Sequence, residues 1–215
     1  MKNLEKYLKT NIESEKLFVE SILEHEKTFQ QLYKVCGNRF NKGTGSYLFD
    51  GQKYEYCDKM FEKQLLLFNK SKEVKSVLEI GTYMGHSLLI MLIGNPQLKI
   101  TSIDIEDTYS YPSIKLLESV FNTEINFIKG NSIDVISSIT DKFDLFHIDG
   151  THKIDFVKKE YELCKPLSST PTMQVIFDDY DTITEINNHI IKESIILEQT
   201  TPKCDWRNSY LKIKI

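Results

Sequence analysis

Cysteine is scarce in this chain of 215 residues, and the four present, Cys36, Cys57, Cys164 and Cys204, stand far apart. They form no C-x-x-C pair, and no histidine stands at zinc-ligand spacing from them, which argues against a structural zinc site. So few cysteines in so long a chain also argue against a disulfide scaffold and for reduced thiols, hence a cytoplasmic setting. Long apolar runs are missing as well. The longest, residues 88–93, falls far short of the roughly 20 residues a membrane-spanning helix needs. The start, MKNLEKYLKTNIESEK, is too charged for a signal peptide. Positive charge is not in surplus either: 27 Lys and Arg against 31 Asp and Glu give a net charge of -4 and a pI near 5.8. That balance speaks against nucleic acid as the main partner and suits a small-molecule site. No internal repeat or low-complexity tract is visible. With 40% hydrophobic and 27% charged residues, the composition is that of an ordinary globular protein.

Two kinds of sequence meet near residue 70. Before it, in residues 1–70, the pattern is helical. Thr10 and Glu13 fit a capping box, and Phe18, Ile22, His25, Phe29, Leu32 and Cys36 follow at alternating spacings of four and three. Gly37 is a natural stop for that helix. The apolar stripe requires a partner surface, either the rest of the chain or a second copy in a homodimer or larger assembly. Residues 38–57 read as an irregular loop rich in glycine and aromatics. Its GTG follows no strand and lacks GxxxxGK, so it is no phosphate loop. Residues 58–70 read as another helix.

Residues 71–215 alternate short β-rich runs with helical stretches. Strands are expected at 76–80, 99–103, 125–129, 143–148, 173–177, 194–199 and 209–215. Helices are expected at 86–94, 114–121, 155–164 and 181–192. Strand–helix alternation means right-handed crossovers and a doubly wound α/β fold: a seven-stranded, mostly parallel sheet covered on both faces behind an N-terminal helical segment. Only residues 202–208 separate the last two strands, too few for a helical crossover, so these should pair antiparallel.

The chemistry-bearing residues fall where strands end. The first strand runs into Glu79-Ile-Gly81-Thr82-Tyr83-Met-Gly85-His-Ser87. Glycines suit a turn where backbone must approach a ligand closely. The spacing is G-x-x-x-G, so the G-x-G-x-x-G dinucleotide fingerprint is absent, and a plain structural turn is the competing reading. The second strand ends at Asp104, about 20 residues past that turn, where a carboxylate can accept from two vicinal ribose hydroxyls at once. In this order of motifs, continued by Gly130-Asn131-Ser132 after the third strand, the chain from about residue 74 onward resembles the class I S-adenosylmethionine-dependent methyltransferases. The resemblance implies S-adenosylmethionine as cofactor. Glu79, Gly81, Thr82, Tyr83, Gly85 and Ser87 would lie about its methionine part and Asp104 about the ribose, while Asn131, Ser132 and Ile133 would edge the adenine.

A third signal narrows the reading. The fourth strand ends in His147-Ile-Asp149-Gly-Thr-His152 and the fifth in Asp178-Asp179-Tyr180. Neighbouring parallel strands deliver their carboxyl ends to one rim, and three carboxylates there repel unless protonated or bound to a cation. Hard oxygen donors suit Mg²⁺ better than zinc. Helix capping by Asp178 or Asp181 is the alternative. This pattern resembles the metal-dependent O-methyltransferases of the catechol and macrolide-sugar types, most closely the sugar branch. By that resemblance Asp149, Asp178 and Asp179 ligate Mg²⁺, Asp149 also lies by the cofactor, and His152 is the catalytic base. The Asn of the catechol type is replaced by Asp179, which weighs against a catechol substrate. Candidate substrate contacts are Tyr180, Asp181, Trp206, Arg207, Tyr54 and Arg39, since arginine can pair with phosphate and aromatics can stack on a sugar ring.

The expected activity is Mg²⁺-assisted O-methylation of a hydroxyl on a small molecule, a sugar or nucleotide-linked sugar, with no nucleic-acid or membrane partner. Two alternatives stay open: a methyltransferase acting on a phenol or a macromolecule, and a non-catalytic Rossmann-like binding subunit.

Overall fold

Runs such as Leu145-Phe-His-Ile148, apolar or bulky at every position, cannot present a wet face, and the strands they form are central. The computed structural model describes residues 1–179, 185–186, 189–190 and 194–215, with main chain only at residues 2–3. Its strands are β1 (Ser76–Ile80), β2 (Lys99–Asp104), β3 (Ile125–Lys129), β4 (Leu145–Ile148), β5 (Thr172–Phe177), β6 (Ile195–Thr200) and β7 (Ser209–Lys214). Its helices are α1 (Glu13–Glu24), α2 (Glu26–Val35), α3 (Phe61–Lys72), α4 (His86–Gly94), α5 (Ser110–Phe121), α6 (Ser132–Ile136) and α7 (Ile154–Cys164). One sheet holds all seven strands in the order β3-β2-β1-β4-β5-β7-β6. β1 to β5 run parallel, and β7 is antiparallel to both β5 and β6, as the short connection between the last two strands requires.

The pleat sorts the core. Val77, Leu145 and Ile176 face one hydrophobic cluster together with α1 to α5. Their neighbours Leu78, Phe146 and Phe177 face the other, with α6 and α7. α4 is apolar all round and buried from His86 to Leu92, as a helix covered by other helices must be. Register makes the carboxyl ends level: Ile80 lies opposite both Ile103 and Ile148, and Ile148 opposite Phe177. The loops that follow these strands therefore open on one rim.

The N-terminal stripe is buried in cis. α1 packs on α3 and α4, and α2 on α5. Phe18, Ile22, Phe29, Leu32 and Cys36 join the same cluster as α4 and β1. One continuous helix was expected, but the backbone leaves the helix at His25 (φ -97°, ψ 16°), whose Nδ1 lies 2.9 Å from the Ser21 carbonyl and whose ring stacks on Phe121. The break lets the chain turn from the α3–α4 surface to α5. The expected capping box is not formed. Ile12 is the N-cap, and Thr10 Oγ1 accepts from the Ile12 N–H at 3.1 Å instead, within a turn that follows a 3₁₀ stretch, Lys2–Lys9. The loop after Gly37 is irregular, as expected, yet Tyr47, Leu48 and Phe49 within it are fully buried. The short α6 has no counterpart in the sequence pattern, and the helix expected at 181–192 lies largely outside the described residues. Among the described residues no helix is long and apolar enough to cross a membrane.

Gly81, directly after β1, makes the tightest approach of any glycine in the chain. Its φ is +89°, and a Cβ there would lie 2.0 Å from the Asp149 carbonyl oxygen. Gly43, at φ +87°, would meet nothing within 4 Å. Gly43→Ala should therefore cost about 1 kcal/mol of backbone strain, and Gly81→Ala roughly 2–5 kcal/mol because overpacking adds to the strain. Urea denaturation checks this; equal losses at the two sites would show that the contact with Asp149 is immaterial.

Candidate active site

The level strand ends frame a crevice of about 1050 Å³. Of the residues expected at a cofactor or metal site, Gly81, Thr82, Tyr83, Asp104, Asn131, Ser132, Asp149, His152, Asp178 and Asp179 line it. Asp104 clamps the glycine turn: its Oδ2 accepts from the main-chain N–H groups of Thr82 (2.9 Å) and Tyr83 (2.8 Å), and its Oδ1 from that of Glu106 (2.9 Å). A carboxylate offers about four acceptor sites, so roughly one remains for a ligand.

Glu79 does not line the crevice. The pleat turns it to the opposite side from Leu78 and Ile80, where it is fully buried and accepts from Ser87 Oγ (2.6 Å) and Ser102 Oγ (3.0 Å). His147 Nδ1 lies 3.2 Å from it, His147 Nε2 lies 2.8 Å from the Tyr47 hydroxyl, and Asn208 Nδ2 donates to that hydroxyl at 3.2 Å. Burial opposes a charge on His147, but Glu79, Asp149 and Asp178 outweigh it and hold the imidazole above its ordinary pKa. Glu79 and Ser87 thus belong to a buried polar chain that ties β1, β4 and the early loop together. Gly85 (φ +73°) stands clear of the crevice too: it begins α4, and a Cβ there would touch Ser113 and Leu117.

At the other end, Asn131 Oδ1 caps α6 by accepting from the Ile133 N–H (3.1 Å), and Ser132 donates to Glu160 Oε1. The Ile133 side chain is not among the crevice walls. Glu160, which lacked any sequence signal beyond an acidic position on a helical stretch, is 1% exposed and does line the crevice. Its Oε2 is buried without a partner among the described residues. Burial pushes its carboxyl up, and the Ser132 hydrogen bond offsets this only in part.

The acidic residues converge as expected, with one addition. Lys63, on α3, places its Nζ 2.7 Å from Asp178 Oδ1, 2.8 Å from Oδ2 and 3.5 Å from Asp179 Oδ1. His152 Nδ1 lies 3.1 Å from Asp179 Oδ2, and its Nε2 3.7 Å from Asp149 Oδ1. Burial works against the Lys63 ammonium, yet Asp178, Asp149 and Asp179 hold it above its ordinary pKa. Burial works against the Asp178 carboxylate as well, and there Lys63 and His147 prevail and lower it. Asp149 is raised by burial and by the Asp178 charge. Asp149 and Asp179 together lift His152 to about 9 against the cost of burial; at 3.1 Å only Asp179 is near enough for a hydrogen bond.

The three aspartates do not form a single donor set. Among the described residues, ligand-capable atoms gather as His147, Asp149 and Asp178, and as His152, Asp178 and Asp179. Lys63 already donates to Oδ2 of the shared Asp178 and lies 2.7 Å from its Oδ1, which is otherwise without a hydrogen-bond partner among the described residues. Mg²⁺ demands near-octahedral oxygen coordination, and this arrangement does not fit it while the ammonium stays where it is. The signal for Lys63 was present but unread: it stands on the apolar stripe Met60–Lys63–Leu67, where an unpaired lysine could not be buried.

Of the expected substrate contacts, Arg39 and the half-exposed Trp206 (43%) line the crevice. Tyr54 does not: it stacks between Phe29 and Tyr33, donates to the Phe29 carbonyl at 2.6 Å, and meets His86 Nε2 at 2.8 Å. Arg207 is half-buried and is not among the crevice walls. Tyr180 and Asp181 lie outside the described residues.

Residues 78–180, which carry the glycine turn and all three aspartates, match the family model described as a methyltransferase domain. Over that stretch the sequence is that of a methyltransferase domain, and the seven-stranded sheet has the Rossmann-like methyltransferase fold. The domain is similar to the O-methyltransferase of Bacillus cereus solved with S-adenosylhomocysteine (16% identity, 88% of this chain and 91% of that one, TM-score 0.60). It is also similar to TomG of Streptomyces achromogenes, an O-methyltransferase of tomaymycin synthesis solved with S-adenosylmethionine (12%, 95% and 99%, 0.63). A third likeness is to the S-adenosylhomocysteine-bound methyltransferase PaMTH1 of Podospora anserina (14%, 87% and 88%, 0.63). At these identities the likeness is one of fold. No curated protein matches the sequence.

The His152 environment of this methyltransferase domain makes stability depend on pH. The imidazole is raised from 6.5 to about 9, so its contribution is full below pH 6.5 and is lost as pH climbs through 9. The stability gap between wild type and His152→Asn should therefore narrow across that window. Thermal unfolding at stepped pH, with an NMR titration of the ring, checks it; a ring midpoint near 6.5 would contradict the geometry.

Proposed function

We propose that the protein is an S-adenosylmethionine-dependent O-methyltransferase acting on a hydroxyl of a small molecule, a sugar or nucleotide-linked sugar. The observation that carries this reading is the presence in one crevice of a glycine turn clamped by Asp104 and a histidine held against a carboxylate. The cofactor fits the polar groups left over: the free acceptor site of Asp104 suits ribose hydroxyls, and the unpartnered Glu160 Oε2 beside Ser132 suits an adenine amino group. When bound, S-adenosylmethionine supplies an electrophilic methyl on a sulfonium; the acceptor oxygen gains the methyl and loses its proton, and S-adenosylhomocysteine leaves.

The chain's own part is to orient the acceptor and take that proton. Carboxylates at the rim accept from neighbouring hydroxyls, and the Trp206 ring offers an apolar face of the kind sugars stack on. His152 can accept a proton only when neutral, and its neighbours keep it charged to about pH 9. The magnesium ion implied by resemblance is left out of this reading, because Lys63 occupies the carboxylates that would hold it.

With radiolabelled methyl donor and a panel of free and nucleotide-linked sugars, one acceptor should gain a methyl on oxygen, and kcat/KM should rise with pH toward about 9. His152→Ala should lose on the order of 10²–10⁴-fold in kcat while S-adenosylhomocysteine affinity by calorimetry stays unchanged. Undiminished turnover in that variant removes the assigned base; absence of cofactor binding removes the whole reading.

A further inference from the structure

We propose that Lys63 is the resident cation of this active site: its ammonium takes the place of a divalent metal between Asp178 and Asp179, and the protein works without one. The inference rests on reading the crevice as a methyl-transfer site, and it concerns which positive charge that site uses.

Three observations carry it. Position comes first. Nζ lies within 2.8 Å of both oxygens of Asp178, the carboxylate common to the two groups that, among the described residues, could otherwise gather round an ion, and it also lies 3.5 Å from Asp179 Oδ1. A metal there would have to displace the amine. Confinement comes second. The Lys63 side chain is 3% exposed, and Nζ lies over the Tyr47 ring at 4.5 Å from its centroid. A lysine that swung in only by chance would keep its side chain largely in solvent; this one is almost wholly covered among the described residues. Anchorage of its helix is third. The next residue, Gln64, donates to the carbonyls of Tyr47 (2.6 Å) and Cys57 (3.1 Å), and the Lys63 carbonyl accepts from Asn208 Nδ2 (3.4 Å). α3 is thus pinned to the early loop and to the segment before β7, and the ammonium is delivered to one place.

Lys63 is a positioning residue in this scheme. It neutralises Asp178 and Asp179, and Asp179 in turn holds His152 at 3.1 Å. A tethered ammonium is a point charge with three donors and cannot bind two acceptor oxygens as a metal does, so it orders the protein's own carboxylates rather than the acceptor.

The test is metal binding, read without any acceptor. Protein dialysed against EDTA is titrated with MgCl₂ and MnCl₂ by calorimetry and by thermal unfolding, in wild type, Lys63→Met and Lys63→Arg. Wild type and Lys63→Arg should show no saturable heat and no rise in Tm, and wild-type turnover should be the same with and without EDTA. Lys63→Met should melt lower than wild type, gain a saturable rise in Tm with Mn²⁺, and lose turnover by on the order of 10²-fold in EDTA. Saturable Mg²⁺ or Mn²⁺ binding by wild type, or Lys63→Met turning over in EDTA as fast as wild type, overturns the proposal. Should Lys63→Met not fold, the wild-type titration decides alone. Should no acceptor be methylated by any form, the function reading fails while the titrations still settle the cation.

Discussion

Three carboxylates brought to the carboxyl rim of a parallel sheet repel one another, and how that charge is met governs the rest of this molecule. Asp149, Asp178 and Asp179 cannot be moved apart, because strand register makes the ends of β4 and β5 level. Opposite charge has to come to them. It comes from His152, three residues beyond Asp149, and from Lys63, which belongs to the N-terminal segment. Where the pair is buried, as Lys63 and Asp178 are, charge compensation is screened less than the same pair would be on the surface. The site is therefore assembled from two parts of the chain, and neither completes it alone.

That dependence explains the buried interior of the early loop. Tyr47 is wedged among His147, Asn208 and Lys63, touching each through its hydroxyl or its ring. His147 continues to Glu79, and Glu79 to Ser87 and Ser102. A buried glutamate with a buried histidine would be costly if unpaired; satisfied from several sides, the pair fixes how the loop sits on the sheet. The residues that set the site's geometry are mostly ones that touch no ligand.

The sheet was legible because its signals are local. Short β-rich runs, connection lengths and the glycine spacing near β1 locate the strands within a residue or two, and level strand ends then place Asp104, Asp149 and the Asp178–Asp179 pair at one rim. What stayed hidden depends on contacts far apart in the chain. Glu79 reads as a ligand residue from its place before the glycines, yet only the pleat, seen against a covered face, shows that it points inward. Lys63 and Asp178 are separated by 115 positions, and no periodicity links them. Glu160 is one acidic residue among several on α7 until the fold brings Ser132 beside it. His25 breaks a helix because Phe121 is there to receive its ring, a fact the stripe alone does not carry.

Because the N-terminal helices share one hydrophobic cluster with α4, α5 and β1, they cannot behave as a separable module. Lineages that exchange or remodel such an arm would alter the ionic character of the active site in the same stroke, without touching a residue of the sheet. Dependence on an external ion then becomes a trait that can switch through a change in a helix far from the strand ends in sequence though touching them in space, and two proteins with identical strand-end motifs can differ in it.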